Sequence, residues 1–285
     1  MRIVFYTTLA LFAFAGNSIL CRLALDGNII DASSFTSIRL ISGIVVLAIL
    51  LKVTQPGRSS KTKGSWKASG MLFLYAVTFS YAYISLETGI GALILFATVQ
   101  ITMIVVNIAS GNRLDRIEWL GITIAFFGFI YLVAPGASAP SPIGLVLMSI
   151  AGIAWGLYTL AGRGSENPLG DTTFNFIRTL PMVLILVAVT FPYANLSTTG
   201  VLLAILSGGI ASGIGYSIWY MALGGLSATQ AAVVQLIVPV IAALGGVLFA
   251  AEPLHLRLIL ASIMILGGVL IVTVAKHRST KSKSG

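Results

Sequence analysis

The chain has 285 residues, of which 57% are hydrophobic and only 9% are charged, and its mean hydropathy is +1.00. A soluble domain carries about 25% charged residues, so these charges are too few to coat a soluble globule, and lipid must cover most of the surface. The net charge of +9 comes from residues at helix ends and in the tail. That distribution indicates membrane topology and excludes a nucleic-acid-binding face.

Ten apolar runs are long enough to cross a bilayer, which takes about 20 residues of helix. In chain order the predicted spans are Ile3–Leu23, Ala32–Leu51, Trp66–Leu86, Ile90–Ser110, Ile117–Ala134, Ile143–Gly162, Thr172–Phe191, Gly200–Ala222, Ala228–Ala250 and Leu254–Ala275. The first run imitates a signal peptide, but it continues past the candidate cleavage site at Ala15 and has a counterpart later in the chain. We therefore interpret it as a membrane span.

The second half of the chain repeats the first. Ser33–Leu40 matches Thr172–Thr179 at an offset of 139, and both segments place an arginine six residues into an apolar run. Further pairs follow at offsets of 135 to 140: Ala15-Gly16 with Trp155-Gly156, Tyr81 with Tyr216, Gly89 with Gly224, Gln100 with Gln235, Leu114 with Leu254 and Gly128 with Gly268. Five spans per half is an odd number, so the halves are expected to be antiparallel, as in many secondary transporters. The predicted organisation is a first repeat at 1–134, a linker at 135–142, an inverted repeat at 143–275 and a basic tail at 276–285.

The loop charges orient the predicted spans. With ten spans both termini lie on one side, and that side carries 13 lysines and arginines, whereas the other side carries only Arg22 and Arg257. Arg39 and Arg178 lie within spans and are left out of this comparison. The positive-inside rule therefore predicts that both termini are cytoplasmic in a multi-pass protein of a bacterial inner membrane.

The repeat and its motifs resemble a known family of carriers. The motifs are the glycine-rich first helix of each half, the Phe-x-x-Ile-Arg openings, and the block Val234–Pro239 followed by Glu252-Pro253-Leu254 and Gly268. They resemble the drug/metabolite transporter superfamily in its EamA-like branch, and within it the bacterial aromatic amino acid exporters. The resemblance covers nearly the whole chain and implies a fourth-helix proline and a glutamate before the fifth helix. The first half departs from this pattern, with Ile104 and Asn112 at the two positions.

The charged residues inside the spans are few. All eight acids lie in loops or at span ends, so no carboxylate is available for a proton relay at the midplane. Arg39 and Arg178 have two possible roles: they hold a substrate carboxylate or a gating ion pair, or they extend to the interface and pair with a nearby acid such as Asp31 or Asp171. Their shallow depth favours the second interpretation.

Polar and aromatic residues near the midplane are the candidates for substrate binding. Amides bind both ammonium and carboxylate groups, and aromatic faces suit apolar side chains or cations. The candidates are Asn17, Tyr81, Tyr83, Gln100, Trp155, Tyr158, Tyr216, Trp219 and Gln235. The alternative is that the glutamines join helices by hydrogen bonds and that the aromatic residues only pack or lie at the interface.

The glycines and a proline in the second half are the candidate moving parts. Gly209 and Gly213 thin the eighth predicted helix, and Pro239 removes a backbone donor midway along the ninth. Movement and static close packing both remain open for this region. No motif for a metal, cofactor or catalytic site is present, which argues against an intramembrane enzyme.

The predicted function is therefore export of aromatic or apolar amino acids, or of similar metabolites, by alternating access through a neutral cavity. A small-molecule substrate and the lipid bilayer are the expected partners, and no cofactor is expected. An exporter of other amphiphiles is the alternative.

Overall fold

The computed structural model describes residues 2–55, 64–111, 114–136, 139–162, 165–226 and 228–283. Every regular element within these ranges is a helix, so the predicted all-helical class is confirmed for them. Parts of the predicted linker 135–142 and tail 276–285 lie outside the described residues, as do several basic loop residues that orient the spans.

The first half forms five long helices. They are α1 (Arg2–Leu25), α2 (Ala32–Thr54), α3 (Trp66–Ala82), α4 (Thr88–Ala109) and α5 (Arg116–Val133). The second half has more interruptions. Its elements are α6 (Pro142–Ala161), α7 (Pro168–Ile177), α8 (Leu180–Thr190), α9 (Thr198–Ile205), a π-helix (Leu206–Ile214), α10 (Gly215–Leu223), α11 (Ala228–Gln235), α12 (Val238–Phe249) and α13 (Leu256–Lys283).

Eight helical segments of the described chain are long and apolar enough to cross a membrane, so the predicted number of ten is not confirmed. The predicted span Trp66–Leu86 is shorter than expected, because α3 ends at Ala82 and the chain turns. The predicted span Ala228–Ala250 is divided between α11 and α12. The division falls just before Pro239, which lacks the N–H that would continue the helical bonding.

Side-chain caps explain where several helices begin. The Asp31 carboxylate accepts from the backbone N–H groups of Ser33 and Ser34 at 3.1 and 2.9 Å and so begins α2. Asp115 and Glu118 form a capping box at the start of α5. Each cap satisfies N–H groups that have no partner within the helix.

Asp31 also joins the loop before α2 to the loop before α9, since its second carboxylate oxygen accepts from the Asn195 backbone N–H at 2.9 Å. Burial raises the pKa of this carboxyl, but hydrogen bonds from Ser33, Ser34 and Asn195 outweigh burial and lower the pKa below the ordinary value of 3.8. A carboxyl with a lowered folded-state pKa stabilises the fold above its unfolded pKa, and this contribution disappears as pH falls through the folded pKa.

We therefore expect Asp31→Asn to lower the melting temperature at neutral pH, with the difference from wild type closing below a pH of about 4. Melting curves in detergent across this range would measure it. Asp26→Asn is the control, because the Asp26 side chain is 56% exposed and its pair with Arg22 should contribute little. A difference for Asp31→Asn that stays constant with pH would contradict the assigned role.

Helices of the two halves pack mainly against each other. α3 and α4 pack on α6, α1 packs on α10 and α12, and α5 packs on α13. Glycines permit the closest of these approaches: a Cβ at Gly121 would be 2.6 Å from the Gly268 carbonyl oxygen. The core therefore lies along the boundary between the halves.

Candidate functional site

A small internal cavity lies at the boundary between the halves. Its volume is about 30 Å³, whereas sites for small molecules typically enclose about 300–1,000 Å³. The lining residues come from both halves: Phe14, Asn17, Ser18, Tyr75, Phe79, Leu95, Phe96, Trp155, Ala211, Ser212, Tyr216 and Gln235. This conformation has room for one or two waters, so a larger substrate requires the helices to separate.

Aromatic rings form most of the cavity wall. Trp155 on α6 stacks on Tyr216 of α10, with ring centroids 5.4 Å apart and planes inclined by 29°. Trp155 also lies 4.8 Å from Tyr75 of α3. The indole therefore contacts rings from both halves and forms part of the cavity wall.

A polar network crosses the same boundary. The Asn17 amide nitrogen donates to the Tyr75 hydroxyl at 3.3 Å, and its amide oxygen accepts from Ser207 Oγ at 2.6 Å. The Tyr75 hydroxyl also accepts from Arg39 Nη2 at 3.1 Å. These bonds link α1, α2 and α3 with the π-helix.

Arg39 is buried in this network. Its side chain does not extend to the interface, and its guanidinium carbon lies 5.0 Å from the Phe79 ring centroid and 5.3 Å from that of Tyr75. Asp31, which the sequence analysis named as one possible partner of Arg39, instead caps α2 and holds the Asn195 loop. Depth along the helix did not reveal that neighbouring helices cover the side chain.

Arg178 has a different environment despite its equivalent place in the repeat. It is half-buried where α7 ends, and its guanidinium lies 5.8 Å from the Trp66 ring at the start of α3. One of its nitrogens donates to the Phe174 carbonyl at 3.4 Å. It is thus remote from the cavity lining.

The structure brings together four of the nine predicted binding residues in the cavity lining. They are Asn17, Trp155, Tyr216 and Gln235. Gln100 is buried but does not line the cavity, although it is the repeat partner of Gln235. The Gln235 amide nitrogen donates to the Ala231 carbonyl at 3.1 Å, one turn earlier in its own helix.

The other four predicted aromatic residues lie outside the cavity lining. Tyr158 packs on Trp155 with centroids 5.4 Å apart, and Trp219 packs on Phe14 at 5.7 Å. Tyr83 is buried, and its hydroxyl donates to the Thr88 carbonyl at 3.3 Å. Tyr81 lines a separate outer pocket near the α1–α2 loop. These contacts give the four residues packing or connecting roles in this conformation.

The predicted moving segment of the second half has unusual backbone structure. Gly209 and Gly213 lie in the π-helix, which is widened by bonds such as that from Gly215 N–H to the Ile210 carbonyl. Such segments often occur at functional sites. The ninth predicted helix is interrupted between Gln235 and Val238, and Pro239 lies buried in the first turn of α12.

Tyr75, Phe79 and Ser212 are cavity residues that the sequence analysis missed. The repeat directed attention to residues with matching partners, and Tyr75 has an isoleucine at the equivalent position in the second half. The one signal in the sequence that could have identified Tyr75 was its position near the middle of the predicted third span.

An ion-pair cluster joins the halves at one end of the helix bundle. The Glu252 carboxylate accepts from Arg22 Nε at 3.0 Å and from the Thr88 backbone N–H at 2.9 and 3.0 Å. Ala251 adopts a φ of 52°, an uncommon left-handed conformation that precedes this glutamate. Nearby, His255 and Glu87 are 3.3 Å apart. The cluster joins α1, the start of α4 and the α12–α13 loop.

Hydrogen bonds join the halves at the opposite end of the helix bundle. Gln55 and Asn167 exchange two amide hydrogen bonds of 3.1 and 2.7 Å. The Gly64 N–H donates to Asp171 at 2.9 Å, and the Ser65 N–H donates to Asn175 at 2.9 Å. Both ends are therefore bridged between halves. Within the described ranges no group of three or more His, Cys, Asp or Glu side chains could hold a metal ion.

Comparisons with known proteins relate this architecture to carriers. The model of the EamA-like transporter family matches residues 142–274. An uncharacterized protein of Pseudomonas aeruginosa is 47% identical over 257 residues, which cover 90% of this chain and 89% of that protein. An uncharacterized transporter of Archaeoglobus fulgidus is 26% identical over 191 residues, covering 65% of this chain and 67% of that protein. One crystal structure is similar in fold, with a TM-score of 0.63, 17% identity, and coverage of 94% and 99%.

Proposed function

The chain belongs to the EamA-like transporter family, and we propose that it exports aromatic or apolar amino acids, or similar small metabolites, as a secondary transporter. Family membership points to a multi-pass membrane transporter of small metabolites rather than an enzyme. The observation that carries the narrower proposal is the cavity in which the rings of Tyr75, Trp155 and Tyr216 surround the amides of Asn17 and Gln235. Rings suit an apolar side chain, and amides suit a zwitterionic backbone.

The proposed architecture is ten spans in two inverted halves, 1–134 and 143–275. The pattern of helix contacts supports it. In the repeat, α1 corresponds to α6, α3 to α10, α4 to α12 and α5 to α13. When each helix is exchanged for its repeat partner, the α3–α6 contact becomes the α10–α1 contact, and the α4–α6 contact becomes the α12–α1 contact. The α5–α13 contact maps onto itself. An inverted repeat predicts this reciprocity.

The proposed mechanism is alternating access. Bridges at both ends and a cavity of about 30 Å³ are the features expected of an occluded conformation. Breaking one set of bridges at a time would open the cavity to one side. In the proposed orientation, with both termini in the cytoplasm of a bacterial inner membrane, the Glu252 cluster is on the outer side and the Gln55–Asn167 pair on the inner side.

We propose exchange or facilitated transport without a midplane proton relay. Among the described residues, the cavity lining contains no carboxylate and no histidine. Proton-coupled carriers usually use such groups within the membrane. Glu252 and Glu87 lie in the cluster at one end, where Glu252 pairs with Arg22 and Glu87 pairs with His255.

Flux of labelled phenylalanine in proteoliposomes, with and without a proton gradient, tests the function. We expect Trp155→Ala to reduce this flux by about tenfold, because the substrate loses the ring between the halves. Trp119→Ala is the matched control, since Trp119 is 56% exposed on α5 and remote from the cavity. Its flux should equal that of wild type.

Three results would contradict the proposal in different ways. Absence of flux for every amino acid tested would exclude the amino acid assignment, and flux of other apolar amphiphiles in the same vesicles would favour the alternative exporter. Flux that strictly needs a proton gradient would refute the uncoupled mechanism. If both tryptophan variants lost the same amount of flux, the cavity would not be part of the substrate path.

A further inference from the structure

Arg39 places a buried positive charge directly behind Tyr75 and Phe79, two residues that line the central cavity. The residue is only 2% exposed, and its Nη1 has no hydrogen-bond partner. Within the described residues no carboxylate lies within 4.0 Å of it. A buried charge without a counter-charge is costly. The chain's acids lie in loops or at helix ends, so an anionic ligand from outside the protein is the counter-charge that this site can accept.

Two hydroxyl groups of the cavity lining are available to an anion. Among the described residues, the Tyr75 oxygen accepts from Arg39 and Asn17, and its own O–H has no acceptor. Ser212 Oγ is buried without a partner. Both residues line the cavity. A hydroxyl that accepts from a cation also becomes a stronger donor, because hydrogen bonds in a chain polarise one another.

We propose that the cavity selects substrates by a carboxylate, which accepts from Tyr75 and Ser212 and is stabilised by the charge of Arg39. Arg39 is then a positioning residue that acts through the Tyr75 hydroxyl. The inference rests on the proposed transport function and narrows it: a carboxylate is required, whereas an ammonium group is dispensable. The substrate class is a monocarboxylate with an aromatic or apolar body, of which amino acids are one member.

Three probes of one shape test this selectivity. L-phenylalanine carries both charged groups, 3-phenylpropionate only the carboxylate, and 2-phenylethylamine only the ammonium. Thermal-shift titration of the full chain in detergent measures the affinity for each. We expect both carboxylates to bind at least about tenfold more tightly than the amine, as a hydrogen bond to a charged group implies.

Variants assign the preference to named groups. Arg39→Met should remove the preference for acids over the amine, and Arg39→Lys should restore part of it by keeping the charge. Tyr75→Phe should also weaken binding of both acids, and it provides the test if Arg39→Met does not fold. The preference is a ratio within one sample, so a general loss of stability leaves it unchanged. Arg178→Met removes an arginine remote from the cavity and should preserve the ratio.

The outcomes separate this inference from the proposed function. Transport of phenylpropionate without phenylalanine would support the carboxylate site and contradict the amino acid assignment. Transport of phenylalanine, combined with equal affinities for the amine and the acids, would support the amino acid assignment and contradict the carboxylate site. An unchanged ratio in both Arg39→Met and Tyr75→Phe would overturn the inference.

Discussion

Replacing Gly208 by alanine is expected to lower the stability of the fold strongly. A Cβ at this position would overlap the Arg39 carbonyl oxygen and Ser42 Oγ on α2. The main obstacle is backbone, which cannot rotate away as a side chain can. Overpacking typically costs about 1–3 kcal/mol and occasionally more, and a backbone obstacle lies at the upper end. The yield of monodisperse protein and its melting temperature in detergent would measure the effect.

A graded set of glycine variants separates crowding from general effects. Gly70→Ala is the control, because a Cβ at this position would have no neighbouring atom within 4 Å and alanine favours a helix by about 1 kcal/mol. Gly209→Ala should be intermediate, since its nearest neighbour is the Val46 Cγ2 atom at 3.2 Å, which can move. If the Gly208→Ala variant had the same melting temperature as the Gly70→Ala variant, the contact between α2 and the π-helix would be looser than described.

Helix positions were largely predictable because the apolar runs and their caps are local signals. Asp31 and Asp115 mark the starts of α2 and α5 in sequence as well as in structure. Interruptions were less predictable. Pro239 indicated the break before α12, whereas the π-helix has no local signal except its glycines, since its widened turn depends on close contact with α2.

The candidate site was predictable only in part, because depth in the membrane does not define which helix face meets a cavity. Gln100 and Gln235 have equivalent depths, and only Gln235 lines the cavity. Arg39 and Arg178 are also equivalent in sequence, but Arg39 donates to Tyr75 in the middle of α3, whereas Arg178 lies against Trp66 at the start of α3. Such asymmetry arises from tertiary packing and is absent from a single sequence.

Glu252 is the residue for which we expect the largest conformational effect. Its side chain is 9% exposed, and that of its partner Arg22 is 15% exposed, so the pair is largely shielded from solvent. It also accepts from the first N–H of α4, where the positive end of the helix dipole favours an anion. Removing one partner of a buried pair costs about 3–5 kcal/mol. Arg22 keeps a contact with Asp26 at 3.3 Å, which places the expected cost at the lower end.

Glu252→Gln should therefore destabilise the closed end at the Glu252 cluster and shift molecules toward a state that is open at this end, which is the outer side in the proposed orientation. A shift of about 3 kcal/mol changes a two-state population by more than about a hundredfold. Cys21, the single cysteine, is buried next to Arg22 on α1, so its labelling by a membrane-impermeant maleimide should become much faster. Cys21→Ala gives the background rate. Glu87→Gln is the matched control, because its pair with His255 is about a third exposed and such pairs contribute little. Labelling of Glu252→Gln that is no faster than that of wild type would mean that the Glu252 pair does not hold this end closed.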